Sequence, residues 1–69
     1  NGAVISWGIF DTPPESLKAM TNTVLATRSP HLLHFDEEER GKRVYITLQW
    51  QNESGIRGDP AEMQMAVIP

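Results

Sequence analysis

The sequence contains no cysteine, so neither a disulfide nor a cysteine-ligated zinc site can stabilise the fold. It has no apolar run close to the ~20 residues of a membrane helix, and it does not open with the pattern of a signal peptide. There is no glycine-rich phosphate loop, and none of the four serines has the surroundings of an activated nucleophile. These absences predict a non-catalytic protein that binds no cofactor and does not enter a membrane.

Positive charge is also scarce, with six basic residues against nine acidic ones and a net charge of −3. A mildly acidic chain is suited to solubility and poorly suited to holding the phosphates of a nucleic acid, so we expect no nucleic-acid partner. The absence of cysteine does not decide the cellular compartment, because a chain without cysteine is compatible with either side of a membrane. A cytoplasmic location is our first choice and export is the alternative.

The chain is short, with 69 residues, and we interpret residues 1–69 as a single domain. A chain of this length buries only about 60% of the surface that its unfolded form exposes, so its stability is marginal without further support. It begins with Asn1-Gly2 and not with Met, which we interpret as the start of a fragment of a longer protein. The expected support is therefore self-association or contact with other parts of that protein.

Two segments alternate apolar and polar residues with the period of a half-buried β-strand. They are Ala3–Phe10, which ends before two prolines, and Arg43–Asn52, in which the alternation is strict. The predicted inward positions are Ala3, Ile5, Trp7 and Ile9 in the first strand and Val44, Ile46, Leu48 and Trp50 in the second. The polar residues between the latter predict an antiparallel sheet with its other face in water.

Three weaker segments complete an all-β pattern. Thr21–Thr27 is rich in β-branched residues and predicts a short edge strand, and His31–Phe35 predicts a further short strand. Ala61–Ile68 favours a strand over the competing helix, because the span is short and follows a turn. Between the predicted strands Ala3–Phe10 and Thr21–Thr27, we expect Asp11–Met20 to form a loop with at most one helical turn. Five short strands at regular spacing suggest a sandwich or a barrel.

The stretch from Val44 to Pro60 resembles the F strand, F–G loop and start of the G strand of fibronectin type III domains. Asn52 and Gly55 match the Asn and Gly that follow the alternating strand in that family. One feature departs from the family, because the position of its tyrosine-corner residue is Val44, with Tyr45 one place later. The resemblance implies an antiparallel immunoglobulin or fibronectin type III-like sandwich.

A similarity that covers nearly the whole chain is to the C-terminal β domain of a set of uncharacterised bacterial proteins. It rests on these recurring features: Trp7, Asp11-Thr12-Pro13-Pro14, Phe35-Asp36, Arg40-Gly41-Lys42, Val44-Tyr45 and Ala66-Val67-Ile68-Pro69. This resemblance implies a structural or protein-interaction module at the C-terminus of a larger protein. No reaction chemistry is implied by it.

On a type III sandwich the predicted strands correspond to C, C′, E, F and G, which leaves strands A and B to lie upstream of residue 1. A sheet without them has an uncovered apolar face and an uncovered edge. We therefore expect other domains of the parent protein to cover the face, or the chain to form a homodimer or to swap strands. A well-folded monomer at micromolar concentration in ultracentrifugation would reject the dimer.

The charged residues predict no metal site. Asp36–Glu39 offers four consecutive carboxylates, but they project in different directions and basic residues follow them, so a solvated loop is the better interpretation. His31 and His34 are three residues apart and would face opposite sides of a strand. No third ligand accompanies them.

The tripeptide Arg57-Gly58-Asp59 lies in the predicted F–G loop, where the adhesive module of fibronectin presents the same residues to integrins. A specified tripeptide also occurs by chance on the order of once in a hundred chains of this length, so an adhesive role is an alternative. A second alternative is a peptide- or carbohydrate-binding module that uses the loops Asp11–Met20 and Glu53–Pro60. Asn52 begins an N-glycosylation sequon, which we interpret as a turn-forming residue at a strand end.

Trp7 and Trp50 both occupy inward positions of their strands. Large aromatic residues at such positions are more often packing anchors than ligand contacts. We therefore expect both tryptophans to lie in the core, and Trp50→Ala to cost about 3–5 kcal/mol. An exposed Trp50 would instead favour a role in binding.

Overall fold

The computed structural model describes residues 2–27 and 32–69, and these residues form an open antiparallel sheet of four strands. The strands are β1 (Gly2–Ile9), β2 (Asn22–Ala26), β3 (Arg43–Gln51) and β4 (Gln64–Val67). Their order across the sheet is β2-β1-β3-β4, so β1 and β3 are central and β2 and β4 form the edges. The all-β prediction is confirmed, and the described residues contain no α-helix.

Four of the five predicted strands are present close to their expected bounds. β2 is an edge strand with most of its side chains exposed, as its weak alternation indicates. The segment 61–68 contains β4 and no helix, because its backbone pairs with β3 from Arg43 to Ile46. The loop after β1 contains one 3-10 turn, Leu17–Ala19, in agreement with the single turn expected there.

The predicted strand His31–Phe35 is wrong over residues 32–35, and His31 lies outside the described residues. Residues 32–36 are irregular, Leu32 is 72% exposed, and a 3-10 turn follows at Glu37–Glu39. A strand requires a ladder of hydrogen bonds to a neighbour. The expected neighbours of this segment belong to a second layer, and the described residues contain one sheet only, so its backbone has no ladder to join.

The loop between β3 and β4 begins with a side-chain-stabilised turn at Asn52. Its Oδ1 accepts hydrogen bonds from the backbone N–H groups of Ser54 at 2.9 Å and Ile56 at 3.0 Å. Gly55 has a φ of 81°, a left-handed conformation that glycine adopts at little cost. The interpretation of Asn52 as a turn-forming residue is confirmed, and this turn reverses the chain so that 57–67 returns along β3.

The two faces of the sheet differ in burial in the opposite sense to the prediction. Tyr45 and Thr47, expected to face water, are 5% and 4% exposed, and Val4 and Ser6, on the same face of β1, are 2% and 4% exposed. The face expected to be interior is mostly half-buried, with Trp50 exposed. The prediction of one solvated polar face is therefore wrong over the central strands, where chain segments cover that face, whereas its margins at Leu25, Met65 and Val67 are exposed.

The described core is thin. Its buried apolar residues are Ala3, Val4, Val44, Tyr45 and Ile68, and no large side chain among the described residues is less than 2% exposed. Among those residues, no helix has the length and apolar character required to cross a membrane. A single layer of this kind leaves much of its apolar surface available to a partner.

Candidate interaction surface

One face of the sheet, here called the apolar face, carries almost only apolar side chains. The register of the ladders places these residues on it: Ala3, Ile5, Trp7, Ile9, Val24, Ala26, Val44, Ile46, Leu48, Trp50 and Ala66. Asn22 and Gln64 lie on the same face at its two margins. The alternation that predicted a shared face for the inward positions of β1 and β3 is thus confirmed.

The centre of the apolar face is only partly covered. Ile5, Trp7, Ile46 and Leu48 are half-buried, and Trp50 at one end is 70% exposed. The prediction that Trp50 is a core anchor is therefore wrong, because the neighbouring position on β1 is Ala3, whose methyl group cannot cover an indole. Contiguous exposed apolar surface of this kind is typical of contact sites for proteins, membranes or ligands.

The opposite face, here called the polar face, is covered at one end by aromatic packing. Phe10 lies on the same side as Gly8 and packs against Tyr45, with ring centroids 6.3 Å apart and planes inclined at 51°. A Cβ atom at Gly8 would overlap the Phe10 ring, so glycine makes this approach possible. Sequence reasoning missed this cluster, although a glycine two residues before a phenylalanine in a strand was a signal for it.

Further along the polar face, two side chains of β3 hold the returning chain. Thr47 Oγ1 donates to the carbonyl of Ala61 at 2.9 Å, and Gln49 Nε2 donates to the carbonyl of Gly58 at 3.1 Å. The Oε1 atom of Gln49 is buried without a hydrogen-bond partner in the described part of the chain. These bonds fix residues 58–61 beside β3 and help to bury the polar face.

The tripeptide Arg57-Gly58-Asp59 is exposed, but it lies on the returning limb of its loop and not at the tip. The backbone N–H of Gly58 donates to the carbonyl of Trp50 at 2.8 Å, and Arg57 forms an isolated bridge with Gln51. Arg57 Nε also donates to Gln51 Oε1 at 3.2 Å. The tripeptide is therefore held on β3, in contrast to the mobile loop that the adhesive hypothesis assumes.

The two loops proposed for ligand binding do not lie together. Asp11–Met20 follows the end of β1, where Ile9 pairs with Val44 at the start of β3. Glu53–Pro60 follows the end of β3, where Gln51 pairs with Gly2. The two loops begin at opposite ends of the central strands, about 25 Å apart for eight residues of extended chain, and this separation does not favour one shared binding site.

At the end of the sheet where β3 starts and β4 ends, a shallow concavity of about 440 Å³ separates the irregular segment from the chain end. Its lining residues are Leu33, His34, Phe35, Asp36, Glu37, Arg40, Ile68 and Pro69. Glu37 and Arg40 form an ion pair of 2.7 Å, and both side chains are mostly exposed. An exposed ion pair of this kind contributes little to stability or to specific recognition.

The acidic run Asp36–Glu39 is arranged as a local turn. The backbone N–H of Asp36 donates to Glu39 Oε1 at 2.7 Å, and Glu37 is paired with Arg40. In the described residues no group of three or more histidine or carboxylate side chains is arranged to hold a metal ion. These contacts hold Asp36, Glu37 and Glu39 in the turn.

Comparison of the chain with protein-family models, with curated proteins and with solved structures finds no match.

Proposed function

We propose that this domain is a non-catalytic structural or protein-interaction module whose apolar face packs against a second β-layer. The observation that carries the proposal is the apolar face itself, with the Trp50 side chain 70% exposed at its end. Covering a large apolar side chain contributes about 1.5–3 kcal/mol, so a partner that covers several of them gains substantial free energy. The partner is expected to present an apolar sheet face of its own.

The order of the strands supports an immunoglobulin or fibronectin type III-like architecture for the completed domain. In such sandwiches one layer contains strands in the order C′-C-F-G, and all neighbours are antiparallel. With β1 as C, β2 as C′, β3 as F and β4 as G, the sheet has this order and these directions. The apolar face is then the inner face, which an opposite layer containing strand E would cover.

The test measures binding of the dye 1-anilinonaphthalene-8-sulfonate, which fluoresces on open apolar surface, to the isolated chain. We expect clear binding while near-ultraviolet circular dichroism still reports fixed aromatic packing, which distinguishes an open native face from a molten globule. Leu48→Gln and Trp50→Gln should reduce the signal several-fold. Gln51→Ala, a change on the polar face one residue from Trp50, is the matched control and should leave it unchanged.

Equal dye binding by all four proteins would contradict the proposed role of the apolar face. A second measurement uses the Trp7→Phe variant, in which Trp50 is the remaining tryptophan. In the isolated chain acrylamide should quench its emission efficiently. Addition of a β-domain partner that covers the face should shield it from the quencher, and the Leu48→Gln change should weaken that protection.

A further inference from the structure

We propose that the outer edge of β2 pairs in antiparallel fashion with the same edge of a second copy of this chain. This interaction uses backbone groups at the side of the sheet and not the apolar face, so it does not depend on the proposed function. The two copies would form one continuous sheet of eight strands related by a two-fold axis. Such isologous, closed pairing is the commonest symmetry of soluble dimers.

The composition of the β2 edge lacks the usual defences against pairing. Residues 21–27 contain no charged residue, no proline and no glycine, and three of the seven are threonine. Natural sheets normally protect an edge with lysine, with proline, with a bulge or with a covering segment. An uncharged segment rich in β-branched residues is a favourable template for another strand.

The geometry of the edge is also regular. β2 pairs with β1 in five consecutive positions from Ala3–Ala26 to Trp7–Asn22 without a bulge. In the described part of the chain no backbone hydrogen bond outside the β1–β2 ladder involves residues 21–27. Among the described residues, none therefore occupies the hydrogen-bonding groups on the outer side of β2 that an added strand would use.

The other edge of the sheet is a poorer template. β4 has four residues against five in β2, and Pro69 lies two residues after its end, whereas the first proline after β2 is four residues away, at position 30. A proline close to a short strand is a device that discourages edge pairing. The contrast between the two edges points to β2 as the side on which the sheet extends.

A second copy suits the β2 edge because antiparallel self-pairing brings no like charges together. With Val24 opposite Val24 of the second copy, Thr23 lies opposite Leu25 and Asn22 lies opposite Ala26. Cross-strand pairs of β-branched and aliphatic residues stabilise a sheet. The same register makes the apolar faces of the two copies continuous, because Val24 and Ala26 both lie on that face.

The interface is small, because each copy contributes only one five-residue strand. The association is therefore expected to be weak and to depend on concentration. The test is sedimentation velocity of the chain from about 10 µM to about 1 mM. The buffer has about 0.15 M salt, which screens the −3 charge of each copy. We expect a reversible shift from monomer to dimer and no larger species.

Two lysine substitutions locate the interface. Leu25→Lys adds a charge to β2, and Val67→Lys adds one to β4; both residues are exposed, at 49% and 57%, and both lie on the polar face. Leu25→Lys should weaken dimerisation at least tenfold, whereas Val67→Lys should leave it unchanged. If Leu25→Lys alters the far-ultraviolet circular dichroism, Thr23→Lys, at an exposed position of the same strand, replaces it.

The double variant Thr23→Glu with Leu25→Lys tests the register. Opposite charges would then face each other across the two-fold axis, and dimerisation should return toward that of the unmodified chain. Failure of this rescue would reject the register centred on Val24. A monomer at every concentration, unlimited growth beyond a dimer, or a dimer weakened by Trp50→Gln but not by Leu25→Lys would overturn the proposal.

Discussion

Ala3 and Trp50 occupy partner positions across the two central strands, yet Ala3 is 8% exposed and Trp50 is 70% exposed. Both side chains lie on the apolar face. The alanine lies between neighbouring strands and is too short to rise above them, whereas the indole projects beyond the sheet. This pair marks the end of the face at which a partner would gain the most from covering a single side chain.

Trp50 should therefore contribute little to the stability of the isolated chain. We expect Trp50→Gln to lower the free energy of unfolding by less than about 1 kcal/mol, because a mostly exposed side chain loses little burial. The measurement is urea unfolding followed by far-ultraviolet circular dichroism. A loss of about 3–5 kcal/mol, typical of truncating a buried aromatic residue, would show that Trp50 is packed in solution.

Tyr45 should behave in the opposite way. Its ring is 5% exposed and packs against Phe10, so we expect Tyr45→Ala to cost about 3–5 kcal/mol. A loss of that size is comparable with the whole stability of a small domain. Tyr45→Phe is the matched control; it keeps the ring and should cost less than about 1.5 kcal/mol. Equal loss in both variants would assign the effect to the hydroxyl group and contradict the packing argument.

The strands were predictable from the sequence, whereas their burial was not. The alternation in Arg43–Asn52 is local, and it specifies both the strand and the residues that share a face with Trp50. Burial depends on what covers each face. Val44 and Trp50 have the same parity, but one is 3% and the other 70% exposed, because coverage varies along the strand.

The contacts on the polar face join residues that are distant in sequence, and the alternation of apolar and polar residues gives no information about such contacts. Tyr45 stands at a position that the pattern assigns to water, and Phe10 reaches it only because Gly8 leaves space. The strand predicted over residues 32–35 does not form, and this too depends on long-range contacts. Its composition permits extension, but pairing requires a neighbour that local sequence does not specify.

Asn52 stabilises the turn after β3 through its side-chain oxygen. Asn52→Ala removes the acceptor of two backbone N–H groups, and we expect a loss of about 1–2 kcal/mol. Asn52→Asp keeps an acceptor at the same place and should retain most of the stability. Thermal unfolding of the three proteins checks this prediction, and equal midpoints for all three would contradict it.

Gly41 precedes β3 with a φ of 83°, and a Cβ atom there would meet no other atom within 4 Å. The cost of Gly41→Ala is therefore a backbone cost alone, of about 1–2 kcal/mol. Such a loss lowers the melting temperature of a domain of this size by roughly 4–16 °C. Lys42→Ala, at the next residue and without a positive φ, is the control. An unchanged midpoint for Gly41→Ala would show that this turn adopts another conformation in solution.

The fixed position of Arg57-Gly58-Asp59 leads to a prediction about adhesion. Both backbone groups of Gly58 are bonded to β3, the N–H to the carbonyl of Trp50 and the carbonyl to the Gln49 side chain. Arg57 is in addition held by Gln51, so the Arg57 side chain and the backbone at Gly58 cannot adjust freely to a receptor. We expect surfaces coated with the chain to support no attachment of integrin-bearing cells that depends on divalent metal. Attachment that requires the metal and is lost in Asp59→Glu, but kept in Glu62→Asp, would contradict this expectation and establish the adhesive role.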